Sequence, residues 1–196
     1  LSVAQRAALV RSYGNYLFDP PLSLRPLTEY LQRRPEEHLD VVRAAIEVFA
    51  ASGEENSQQA VQLVERLLRD PRADARRVGI AAAEDLRLRP VVPLLIELVT
   101  HDRHSEADRL AAVRALRMIN DPRAAPVLRD IVQGGYPAVV KVEALQALRL
   151  MRPAEAQAMA QRLLDAADPQ LLAEAIAILT PTKAGARLVA ERYLAR

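Results

Sequence analysis

Three segments of this chain repeat one another at a spacing too long for a single helical turn pattern and too regular for chance. RRVGIAAAEDL begins at Arg76, RLAAVRALRMI at Arg109 and KVEALQALRLM at Lys141, so their heads stand 33 and 32 residues apart. Each opens on a cation. Each places a small residue three positions on (Gly79, Ala112, Ala144) and another six positions on (Ala82, Ala115, Ala147). Residues three apart share one face of an α-helix, and small side chains there let a neighbouring helix approach closely. Self-similarity at this period marks stacked supersecondary units, none of which buries its apolar face alone.

A second amphipathic segment follows each of these heads: VVPLLIELV from Val91, APVLRDIV from Ala125 and QAMAQRLLD from Gln157. Apolar residues recur there at i, i+3, i+4 spacing. The steps Asp70-Pro71, Asp121-Pro122 and Asp168-Pro169 read as helix starts, because Asp caps an N-terminus and Pro is tolerated in the first turn. Less faithful copies extend the pattern to both ends. The units are expected at 1–34, 35–69, 70–101, 102–135, 136–167 and 168–196, with about three quarters of the residues helical and no strand. The fold expected is all-α: a right-handed α-solenoid of about six helix pairs forming one domain over 1–196. Weak joints are read at 51–56, where Gly53 suits a helix C-cap, at Gly134-Gly135, and around Gly14 and Asp19-Pro20-Pro21.

The Asp-Pro-Arg start, the cation heading the first helix and the spaced alanines resemble the short HEAT-like repeats of the bilin-lyase type. DPRADARRVGIAAAEDL and NDPRAAPVLRDIV carry the resemblance best, over 70–151. Gly135-Tyr136 replaces an Asp turn, and Leu172 replaces the helix-head cation in the last unit. The closing stretch TPTKAGARLVAERYLAR faintly resembles the end of HEAT arrays in large bacterial secreted proteins with dehydrogenase-like and haem domains. The resemblance implies a protein-binding scaffold that works through the concave face of the solenoid, where it places the second helices.

Chemistry is sparse. Cysteine is absent, which removes disulfides, zinc thiolates, iron–sulfur clusters and cysteine nucleophiles together. No glycine-rich phosphate loop and no nucleophile elbow occurs. His101, His104 and Glu106 offer metal donors, but in a turn without helical i, i+4 spacing, and read as an exposed polar turn. Neighbouring acids such as Glu36/Glu37, Glu54/Glu55 and Glu84/Asp85 do not face one another on a helix and read as solvated charge. Tyr13, Tyr16 and Tyr30 read as cover for the core. No catalytic residue, metal or cofactor is expected, and no enzyme activity. No apolar run reaches the ~20 residues of a membrane span. The first residue, Leu1, suggests a piece of a longer polypeptide.

Net charge is +2, from 27 Lys+Arg against 25 Asp+Glu, without blocks of one sign. A phosphate-binding surface needs one dominant sign, so nucleic acid is not the expected partner. The helix-head cations Arg76, Arg109 and Lys141 are expected to tie adjacent units by neutralising acids of the preceding turns, Asp70 and Asp102. Aligning the second helices puts Glu29, Arg66, Glu97, Asp130, Arg162 and Arg192 in one column of mixed sign, away from the core. That column is the candidate surface for a protein partner or for neighbouring domains of the parent chain. The rivals left standing are a nucleic-acid-binding protein similar to HEAT-like DNA glycosylases and a tetrapyrrole-binding protein of the bilin-lyase type. The compartment is not legible.

Overall fold

The small residues at the repeat heads are buried against neighbouring helices, and the rest of the architecture follows from that approach. The structure, a computed structural model, describes residues 1–15, 23–101 and 104–193. Helix accounts for 81% of the described residues, somewhat more than periodicity predicts, and among them no strand occurs. Twelve α-helices are described, in pairs: α1 (Val3–Asn15) with α2 (Arg25–Arg33), α3 (Leu39–Ala51) with α4 (Glu54–Leu68), and α5 (Ala73–Asp85) with α6 (Val92–Thr100). The remaining pairs are α7 (Glu106–Ile119) with α8 (Ala125–Gln133), α9 (Ala138–Met151) with α10 (Pro153–Arg162), and α11 (Pro169–Leu179) with α12 (Lys183–Tyr193). The residues around Asp19-Pro20-Pro21, with Tyr16, lie outside the described residues, as does Asp102.

The chain divides into two compact units, Leu1–Leu94 and Leu95–Arg196. In the first, α1 packs on α3, α3 on α4 and α4 on α5. Its core centres on Val41, Ile46, Phe49, Val64 and Ile80, all buried. Gly79 shows why a small residue is needed. A Cβ there would stand 2.9 Å from Leu67 Cβ and 3.2 Å from the Leu68 main-chain nitrogen, so α5 lies directly on the backbone of α4. In the second unit, α7 packs on α9, α8 on α9, and α9 and α10 on α11. Ala112, Ala115, Ala144 and Ala147 are fully buried there beside Leu116, Leu128, Ile131, Leu145 and Leu148.

Local chemistry sets the joints. Asp70 and Asp121 each head an Asp-Pro-Arg step and hold its arginine in the same fork. Asp70 Oδ1 accepts from the Arg72 main-chain N–H (2.9 Å) and from Arg72 Nε (3.0 Å), while Oδ2 accepts from Nη2 (2.9 Å). Asp121 repeats this with Arg123 at 2.9, 2.9 and 2.8 Å. The Asp121 step opens the second helix of its pair, not the first, so Asp-Pro does not mark unit boundaries alone. Asp168 caps α11 by accepting from Gln170 and Leu171 N–H. The expected loop at 51–56 shrinks to Ser52-Gly53. Gly53 takes φ +93°, a left-handed conformation that turns the chain at once, and its carbonyl accepts from Asn56 and Ser57 as α4 begins.

Candidate functional site

All six residues of the aligned column fall on second helices: Glu29 on α2, Arg66 on α4, Glu97 on α6, Asp130 on α8, Arg162 at the end of α10 and Arg192 on α12. None belongs to the core. Their partners differ. Glu29 lies between Arg25 (3.0 Å) and Arg33 (3.8 Å) of its own helix. Asp130 pairs with Arg129 at 3.5 Å. Arg192 pairs with Asp165, and its guanidinium is raised above its ordinary value by the hydrogen bond to that carboxylate and by its charge. Arg66 and Arg162 are exposed, and among the described residues neither has an ion-pair partner.

Among the described residues, the helix-head cations Arg76 and Arg109 reach main-chain carbonyls at the preceding turns. Arg76 Nη1 donates to the carbonyls of Asp70 (3.0 Å) and Pro71 (2.6 Å), whereas the Asp70 carboxylate is held by Arg72. Arg72's hydrogen bonds, aided by its charge and by that of Arg76, keep the Asp70 carboxyl below the usual range. Arg109 Nη2 donates to the His101 carbonyl at 3.2 Å, and its guanidinium sits 5.9 Å from the centre of the Tyr136 ring. Carbonyls past a helix C-terminus lack intrahelical donors and carry partial negative charge, so they attract such cations. Lys141 is half-buried on α9.

Neighbouring first helices are tied by ladders of arginine and acid. In the first unit, Arg11 of α1 reaches Glu47 of α3 (3.1 Å); Arg43 of α3 holds the other Glu47 oxygen (3.3 Å) and Asp85 of α5 (3.3 Å). In the second unit, Arg114 of α7 reaches Glu143 of α9 (2.9 Å), and Arg117 Nη1 donates to Gln146 Oε1 (2.8 Å). Gln146 Nε2 then donates to Glu174 of α11 (2.8 Å). The signal was available in principle as acids about one repeat beyond arginines, but the offsets are unequal.

Glu37 corrects the reading of Glu36/Glu37 as solvated charge. Its side chain is 4% exposed. It accepts from Arg6 Nη2 of α1 (2.9 Å), from the Tyr30 hydroxyl of α2 and from the His38 main-chain N–H (2.8 Å) at the head of α3. Burial opposes its charge, but these hydrogen bonds and the Arg6 guanidinium outweigh that and hold its pKa at about 2. The Tyr30 hydroxyl is raised in turn, by burial and by donating to Glu37.

Among the grooves of the first unit, two border α2 and a neighbouring helix. One, of about 220 Å³ between α1 and α2, is apolar, walled by Leu9, Val10, Tyr13, Pro26 and Leu27. The other, of about 240 Å³ between α2 and α4, has a floor of Leu31, Phe49 and Leu63 and polar walls of Thr28, Gln32, Gln59, Gln62 and Arg66. Among the described residues no group of three His, Asp or Glu gathers as a metal site. His101 Nδ1 lies 3.0 Å from the Glu97 carbonyl. No described helix is long and apolar enough to cross a membrane.

A family model described as HEAT repeats matches residues 60–149. No sequence among the curated proteins matches the chain.

Proposed function

We propose that this chain, which carries HEAT repeats across residues 60–149, is a non-enzymatic scaffold that binds a protein partner through its second helices. HEAT repeats as a class mediate protein interactions. The observation that carries the reading is the lacing of the first helices. Within each unit, acids between neighbouring first helices are already held by arginines or by Gln146, so a partner docking across that surface would have to break the ladders. Among the described residues, Arg66 in the first unit and Arg162 in the second stand exposed on second helices without an acid, and the second helices of each unit carry both signs. A mixed-sign surface complements another protein better than a phosphate backbone. The reading takes residues 1–196 as one repeat array.

The test is duplex DNA binding at ~150 mM salt, where phosphate-driven association is still measurable. Expected is no binding above background. Tight binding abolished by Arg162→Glu and Arg192→Glu overturns the protein-scaffold reading in favour of nucleic acid.

A further inference from the structure

We infer that the groove between α2 and α4 binds an extended peptide segment bearing a carboxylate, with Arg66 as the carboxylate's partner. The inference rests on the protein-binding reading above and gives it a chemistry.

The groove combines three features that an extended peptide needs together. Its floor is apolar, with Leu31 and Phe49 buried and Leu63 half-buried, so it can take an aliphatic side chain. Its walls carry glutamine on both sides, Gln32 from α2 and Gln59 and Gln62 from α4. A primary amide has a donor and an acceptor side by side, which matches the C=O and N–H of a peptide unit. Among the described residues, the Gln32 and Gln62 amides have no hydrogen-bond partner in the protein. An extended chain shows main-chain groups along its sides and every second side chain to one face, so it can meet such walls and such a floor at once.

Charge selects the end of the groove. Arg25 and Arg33 of α2 share Glu29, Arg34 faces Glu37 and the Tyr30 ring, and Arg69 holds Glu65. Arg66 is the cation of this wall left with no acid among the described residues. Its guanidinium presents a planar fork of donors suited to a carboxylate. An amphipathic helix is the poorer occupant, because helix recognition needs a long apolar trough for several anchors a turn apart. This groove is short and amide-walled. The carboxylate can come from an internal Asp or Glu or from a C-terminus; the chemistry at Arg66 is the same.

The test uses two random heptapeptide libraries displayed against the whole chain, one with free C-termini and one amidated. Affinities of enriched peptides are then read by fluorescence polarisation. Enrichment of an aliphatic residue near Asp or Glu in both libraries supports the proposal with an internal acid. Enrichment in the free-end library alone supports it with a terminal carboxylate. In either case Arg66→Glu should weaken binding about tenfold or more. Gln62→Ala should weaken it a few-fold, and Arg162→Glu should leave it unchanged. Circular dichroism checks that the Arg66→Glu chain, altered at an exposed position, keeps its helix. Peptides that bind Arg66→Glu as well as the unaltered chain overturn the proposal, as does enrichment of helical apolar patterns or no enrichment at all. If binding instead falls with Arg162→Glu alone, the groove is wrong and the broader protein-binding reading stands. If it ignores every second-helix substitution, both fall.

Discussion

Glu37 shows what one carboxylate does when three helices converge on it. It joins α1 through Arg6, α2 through Tyr30 and the head of α3 through His38, with its side chain almost fully withdrawn from water. Its folded pKa of about 2 lies below the ordinary 4.5, so its contribution to stability is fully present above about pH 4.5 and is lost as pH falls toward 2. The expected outcome is loosening of the first two helix pairs through that window, followed by circular dichroism on acid titration. Glu37→Gln should cost about 2 kcal/mol, because Arg6 is then left partly buried without its acid, and should lower the melting midpoint by about 4–8 °C. It should also flatten the acid dependence between pH 4.5 and 2. No pattern in the sequence announces this residue. Its ion-pair partner Arg6 is 31 positions away, and its neighbour Glu36 is exposed, so adjacency misleads.

At the scale of the helix, size at the repeat heads is the governing property. Gly79→Ala should destabilise by about 1–2 kcal/mol despite alanine's better helix propensity, since the methyl meets Leu67 Cβ and main chain that cannot yield. Gly135→Ala, with nothing within 4 Å of the added carbon, should change stability by less than ~0.5 kcal/mol. Thermal melts of the pair make the comparison. This part of the fold was legible because close helix approach leaves a periodic trace: Gly79, Ala112 and Ala144 share one offset from their heads. The joints were less legible. Glu54, Glu55 and Asn56 read as loop residues, yet the chain turns at Gly53 and they enter α4. Asp-Pro likewise looked like punctuation between units, but the fork it makes with the following arginine is a local device that works equally well inside a pair, as at Asp121.

Across the whole molecule, stability in a repeat protein is close to a sum of local terms, so it should vary along the chain. Hydrogen exchange is expected to be slowest over 70–151, where the buried alanines and leucines are densest, and fastest in the pairs before Gly53. α2 contributes only Leu27 and Leu31 to the core from within its helix. Uniform protection along the chain would contradict this. The candidate surface was legible in its register but not in its pairing. Periodicity assigns Glu29, Arg66, Glu97, Asp130, Arg162 and Arg192 to second helices, while the distinction between Glu29, paired within its helix, and Arg66, with no acid among the described residues, depends on which neighbours sit a turn away. The ladders across the first helices have one further consequence. Every cation in them is an arginine, and the chain has only two lysines, Lys141 and Lys183. Amine-directed chemistry, whether enzymatic acylation or a laboratory coupling reagent, therefore meets two side chains, neither of which belongs to a ladder. The protein can be tethered, labelled or acylated through its amines with the lacing of its first helices left intact.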